Sequence, residues 1–206
     1  MLHFLIPFAH ANGTESDGVW SPAFRRARKR GTPNNIPKVI QVTRTYLEMR
    51  SLSELEPARA DDPLIRIEQQ YRCSIELFRW LYAEVGRNYR WVDRLPWTDE
   101  DIVTHLDKPE NSIWLMTYDG AMAGYFELRK CEDGSTEIAY FGLLPQFIGQ
   151  GLGKHLLTRA VEQAWADGAD RVWLHTCTLD DPAALPNYLK RGFKAFKTEQ
   201  YTVETS

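Results

Sequence analysis

Three glycines, Gly149, Gly151 and Gly153, stand where an apolar strand-like run ends and an apolar helical pattern begins, in the stretch FGLLPQFIGQGLGKHLL. Glycine loses more backbone freedom than any other residue on entering a helix, so three of them at a helix start need a separate reason. A strand that turns into a helix through glycine leaves several main-chain N–H groups pointing out of the helix start, with no side chain in the way. Those donors are unpaired and the helix dipole adds partial positive charge, which together make an anion cradle. Downstream, Leu152, Leu156, Leu157, Ala160, Val161, Ala164 and Trp165 fall on one helical face, and Gly168 can cap the helix.

The rest of the chain is compatible with a strand–loop–helix unit at this place. VIQVTRTYLEM, from Val39, alternates and is β-branched enough for a strand. Asp62-Pro63 reads as a helix opening, with Leu64, Ile67, Tyr71, Ile75, Phe78, Leu81 and Val85 at helical spacing up to Gly86. TDED at 98–101 is a capping box that starts a second, shorter helix. SIWLMTYDGAMAGYFELRK predicts two strands joined at Asp119-Gly120, because both turn positions require positive φ. Asp133-Gly134 marks the next turn and TEIAYFGLLP a third strand. After the glycine loop and its helix come a strand, RVWLHTCT, a helix opened by Asp181-Pro182 that Pro186 should shorten or distort, and a last strand, FKAFKTE. The order is strand, two helices, three strands, helix, strand, helix, strand. That is an α/β fold with a sheet of mixed direction.

Composition narrows the function classes. The 206 residues allow one domain, 38–206, preceded by an N-terminal extension, 1–37. The extension opens with MLHFLIPFAH, which is short for a secretory leader and lacks a basic start. It continues into FRRARKRG, a solvated basic arm or a patch for an anionic partner. A formal charge of −3 does not suggest a nucleic-acid partner. Cys73, Cys131 and Cys177 are odd in number and far apart, so neither a disulfide framework nor a metal site is expected, and a reducing, cytoplasmic location fits. No stretch approaches the roughly 20 apolar residues of a membrane span.

Three phosphate motifs compete for the glycine loop. The dinucleotide fingerprint fails at Lys154, and the ATP-type loop fails at Ile148 and His155. What fits is the pyrophosphate loop of coenzyme A acyltransferases, Q/R-x-x-G-x-G/A. The loop, with a Tyr-x-x-x-Gly-Phe downstream in ALPNYLKRGF, resembles the GNAT N-acetyltransferase superfamily over roughly residues 39–200. Gln146-x-x-Gly149-x-Gly151 satisfies the motif literally. Counting from Pro145 gives Ile148-x-x-Gly151-x-Gly153, which is preferred here because it puts Gly151 and Gly153 at the helix's first turn.

The resemblance implies a mostly antiparallel GNAT-type sheet and acetyl-CoA as donor to a primary amine, with Ile148, Gly149, Gln150, Gly151, Leu152, Gly153 and Lys154 around the pyrophosphate. It implies that the main chain of Leu143 and Leu144 pairs with the pantetheine arm. An alkyl ammonium, with a pKa near ~10, needs a base, and a departing thiolate, near ~8.5, benefits from an acid. Glu137 holds the place of the family's base, with Glu127 in reserve; the alternative for Glu137 is a solvated strand carboxylate. Tyr188 matches the acid, or else packs in the core. Asp181 stands where the family often has asparagine and is read as an N-cap only. Cys177 and His175 lie near the expected gap in the sheet.

The acceptor grip should lie in GRNYRWVDRLPWTDED. There Tyr89, Trp91 and Trp97 either wall a pocket or close the sheet's end, and Asp93 either holds an ammonium or pairs with Arg90 or Arg94. The expected acceptor is a small-molecule amine. A protein amine, or a non-catalytic coenzyme A sensor, are the alternatives, and the resemblance allows a homodimer.

Overall fold

The computed structural model describes residues 38–205; the apolar leader and the basic arm lie outside the described residues. The elements are β1 (Lys38–Met49), β2 (Ile65–Gln69), α1 (Ile75–Gly86), α2 (Asp99–Leu106), β3 (Asn111–Tyr118), β4 (Ala121–Lys130), β5 (Ser135–Leu143), α3 (Leu152–Ala166), β6 (Arg171–Cys177), α4 (Ala184–Lys190) and β7 (Lys194–Thr205). They build a seven-stranded sheet in the order β2-β3-β4-β5-β6-β1-β7. Every pairing is antiparallel except β5 with β6. That parallel pairing covers only Ser135–Glu137 against Arg171–Trp173, although β5 runs on to Leu143 and β6 to Cys177. The sheet is therefore open between β5 and β6 beyond Glu137.

Local chemistry explains most elements. Asp119 and Gly120 both adopt positive φ, 49° and 76°, and join β3 to β4 as a tight hairpin. Thr98 and Asp101 form a reciprocal capping box at the start of α2. Pro186 is the third residue of α4, in the first turn where no intrahelical N–H is missed, and the helix is short.

The helix predicted from Asp62-Pro63 is corrected. Asp62 makes a turn: its side chain accepts from the Leu64 N–H at 3.0 Å and its carbonyl from the Ile65 N–H at 3.1 Å. The next five residues, IRIEQ, alternate in burial and pair with β3, so the fold has one more strand than expected. The helix starts at Ile75, where the Ser74 hydroxyl accepts from the Leu77 N–H. Leu64 and Tyr71, counted on the apolar helical face, are exposed.

The sheet has a core on each face. On one, Leu47, Met116, Phe126, Leu128 and Ile138 pack against Leu156, Leu157, Ala160, Val161 and Ala164 of α3, with Tyr188 and Phe193 beside them. On the other, Ile113 and Tyr125 pack against Phe78, Leu81 and Val85 of α1 and Ile102 of α2. A bulge decides which residues face the second core. Glu127 opposes Tyr140 and Leu128 opposes Ile138, so Ala139 is the extra residue, and Glu137 and Tyr140 share the face covered by α1 and α2. No helix among the described residues is long and apolar enough to cross a membrane.

Candidate active site

The glycine loop is exposed and its donors are free. Gly149 and Gly151 adopt positive φ, 85° and 80°, and Gly151 is the N-cap of α3, so it precedes the first turn while Gly153 lies within it. Among the described residues, no main-chain N–H from Gly149 to Lys154 donates a hydrogen bond. The Ile148 N–H is turned inward to the Pro145 carbonyl at 3.3 Å and does not belong to the cradle. Gly149 and Gly151 answer to their backbone angles. Gly153 does not: an added Cβ would meet only Leu143 Cδ1, at an ordinary 3.6 Å. Nothing among the described residues requires glycine there, and a close-approaching ligand would.

The gap between β5 and β6 starts where the loop's strand ends. The β5 main chain beyond Glu137 has no partner on the β6 side. Leu143 lies on that free edge. Leu144 differs, because its N–H donates to the Ala123 carbonyl and its carbonyl accepts from the Phe147 N–H, both at 2.9 Å.

Glu137 sits at the last paired position, only 3 % exposed, bonded to Arg129 on β4 and 3.9 Å from His175 Nε2 on β6. Burial raises its pKa, and the Arg129 charge offsets only part of the rise. Burial, then the Arg44 charge, brings His175 down to about 4, although 37 % of its side chain still reaches solvent. Tyr188 approaches from the opposite face of the sheet. Its ring packs edge-on against Phe141 and Phe193, it is 7 % exposed, and its hydroxyl has no hydrogen-bond partner among the described residues. Burial keeps that hydroxyl protonated.

The loop between α1 and α2 divides its predicted residues. Asp93 pairs with neither Arg90 nor Arg94; it accepts from the hydroxyls of Tyr82, at 2.6 Å, and Tyr140. Trp91 packs on Tyr140 and Tyr82, with ring centroids 5.0 and 5.7 Å away. Tyr89 donates to Asp181 at 3.2 Å, tying this loop to the one before α4. The other Asp181 oxygen accepts from the Ala183 N–H, and Ala183 is the N-cap of α4, so Asp181 is not the cap. Trp97 touches neither Asp93 nor Trp91; it is stacked on Phe78 and tilted against His105.

The sequence reading missed what holds this loop. Arg94, buried, donates both terminal nitrogens to Glu127 at 2.6 and 2.8 Å. His105 lies 3.0 Å from the same carboxylate, and the Arg94 guanidinium lies over Tyr140 at 4.0 Å and Trp97 at 4.7 Å. Burial works against the Glu127 anion, but the Arg94 and His105 hydrogen bonds win and hold its pKa at about 2. An anion held so firmly is a poor base. No local signal marks a pair separated by 33 positions. A cavity of about 190 Å³ adjoins Arg94, lined by Phe78, Arg79, Tyr82, Ala83, Leu95 and Ile102; Glu137, Tyr188 and the glycine loop take no part in it.

Comparison with known proteins follows this geometry. Residues 75–193 match the family model described as Acetyltransferase (GNAT) family. An uncharacterized N-acetyltransferase of Mycobacterium tuberculosis is 31 % identical over 97 residues, 47 % of this chain and 62 % of that protein. Among solved structures, a GCN5-related N-acetyltransferase from Kribbella flavida superposes with a TM-score of 0.57 at 22 % identity, covering 81 % of this chain and 59 % of that one. An aminoglycoside acetyltransferase from an uncultured soil metagenomic sample, in complex with sisomicin, gives 0.53 at 14 % identity, over 64 % of this chain and 90 % of that one.

Proposed function

This chain belongs to the GNAT acetyltransferase family, and we propose that it transfers an acetyl group from acetyl-CoA directly to a primary amine of a small molecule. The observation that carries the proposal is the row of free N–H donors from Gly149 to Lys154, with a Cβ missing at Gly153 where the fold itself would accept one. Such a row fits a diphosphate.

Bound there, acetyl-CoA supplies an activated thioester carbonyl. The chain's own residues do the rest. The unpaired edge of β5 around Leu143 offers main-chain groups to an extended arm, as an added strand would. Asp93, held by two tyrosine hydroxyls, attracts an ammonium. Glu137, with its pKa raised by burial, takes the proton that makes the amine a nucleophile. The Tyr188 hydroxyl, protonated and unbonded, gives a proton to the departing sulfur. Glu137 and Tyr188 belong to opposite faces of the sheet, and the β5–β6 gap is the passage that lets them act on one reaction.

The test is calorimetric titration with acetyl-CoA, followed by thiol release over a panel of small amines. Heat of binding and amine-dependent release are expected. Absence of binding overturns the proposal, and binding with no turnover on any amine reduces it to a cofactor sensor.

A further inference from the structure

We propose that Arg44 forms an anion subsite for the acceptor, so that the substrate carries a carboxylate remote from the amine it presents to Glu137. This deepens the function proposed above and rests on it.

The buried Arg94 pairs with Glu127, the half-buried Arg171 with Glu48, and even the exposed Arg129 has Glu137. Arg44, half-buried on β1, makes no ion pair among the described residues, and its Nε is buried without a hydrogen-bond partner. Withholding a guanidinium from water in this way is unfavourable unless something else completes it. The nearest candidate is Glu199, directly opposite on β7. Its carboxylate is already taken by the Tyr46 hydroxyl at 2.7 Å and by Lys197 at 2.5 Å. The Arg44 guanidinium lies against the Tyr201 ring, 5.1 Å from its centre, with the tyrosines Tyr46 and Tyr201 as its neutral neighbours, so it is held in place while its Nε lacks an acceptor and no carboxylate matches its charge.

Strand register then connects Arg44 to the reaction centre. Arg44 opposes Cys177, Tyr46 opposes His175, and Glu48 opposes Trp173, which in turn pairs with Glu137 on β5. Residues opposed in this way share a face, so Arg44, His175 and Glu137 all look out on the side covered elsewhere by α1 and α2. His175 bridges the interval: its Nε2 is 3.9 Å from Glu137 and its ring 5.7 Å from that of Tyr46. Across the sheet β5 to β1 is two strand spacings, about 10 Å, and along it Arg44 lies four residues beyond the level of Glu137, about 13 Å, so the two Cα positions are roughly 16 Å apart. An amine at Glu137 and a carboxylate at Arg44 therefore belong to one extended molecule, an ω-amino acid. The planar donor fork of Arg44 suits a carboxylate.

The experiment compares ω-aminododecanoate, long enough to reach across that interval, with its methyl ester as acceptors, in the unaltered protein and in Arg44→Met and Arg44→Lys. The acid should show a KM about tenfold lower than the ester, the size of one charged hydrogen-bonded contact. Arg44→Met should erase that ratio, read as acid against ester within the same variant, and Arg44→Lys should restore part of it. Equal KM values for acid and ester in the unaltered protein overturn the proposal without recourse to any variant. A second arm needs no catalysis: titration of ω-acetamidododecanoate with coenzyme A present. Binding to the unaltered protein that Arg44→Met loses supports the subsite even if no amine is turned over, a result that would count against the enzymatic reading alone. Binding equal in both, or absent from both, overturns the subsite.

Discussion

Two carboxylates on one face of the sheet, Glu127 and Glu137, are both almost fully buried, and their pKa values are shifted in opposite directions. Glu127 has a bidentate arginine and a histidine, and stays ionised down to about pH 2. Glu137 has one arginine that is itself half-exposed, and burial wins. A base must be ionised to accept a proton, so the acid limb of the rate profile should lie above the ordinary carboxylate value of 4.5. Glu137→Gln should lower kcat by about 10²–10⁴-fold while cofactor affinity stays unchanged. Turnover retained across pH would remove Glu137 from the chemistry. Tyr188→Phe tests the other side of the gap, and kcat should fall more than cofactor affinity. The sequence carried these two residues through their motif neighbourhood, TEIAYFGLLP and NYLKRGF. It could not carry the difference between Glu127 and Glu137, which depends on Arg94 arriving from a distant loop.

At the scale of elements, the glycine loop makes a prediction with two opposed signs. Gly153→Ala adds a Cβ that the fold accepts at the start of α3, and should stabilise the protein by up to about 1 kcal/mol. The same methyl group intrudes on the cradle, so acetyl-CoA should bind about tenfold or more weakly. Urea unfolding and calorimetry on one variant read both signs, and unaltered affinity would mean that the diphosphate lies elsewhere. The acceptor loop is held differently. Arg94→Met leaves buried Glu127 without its arginine and with only His105 beside it, which should cost about 3–5 kcal/mol, and adding Glu127→Leu should recover much of it. Legibility follows the same division. The hairpin at Asp119-Gly120, the capping box at Thr98 and the turn at Gly149–Gly153 are set by residues a few positions apart, and they could be read. β2 could not, because Leu64, Ile67 and Tyr71 mimic a helical face, while the partner that makes IRIEQ a strand is the open edge of β3. The buried ion pair and the exact arrangement around Asp93 are tertiary in the same sense.

For the molecule as a whole, the burial that creates the site also sets the response to acid. His175 titrates near 4 in the fold against 6.5 when free, so between those values the unfolded chain binds the proton and the native protein does not. Stability from this source is complete above 6.5 and is lost as pH falls toward 4. Glu127 repeats the pattern lower down, its contribution complete above 4.5 and lost as pH falls toward 2. Glu137 has the opposite sign: its raised pKa makes the native protein bind the proton first, which offsets part of the loss just above 4.5. The groups whose charges act on His175 are Arg44, Asp180, Arg129 and Asp93, and the two arginines favour the neutral ring. The urea midpoint should therefore decline in two successive stages on acidification, centred on different residues. His175→Asn should remove the upper stage and leave the lower one. The Arg94→Met, Glu127→Leu double variant should remove the lower and leave the upper. A single steep loss that neither variant alters would mean that acid unfolds the protein through charges far from the gap, and that the strain of burying these groups is not concentrated at the site.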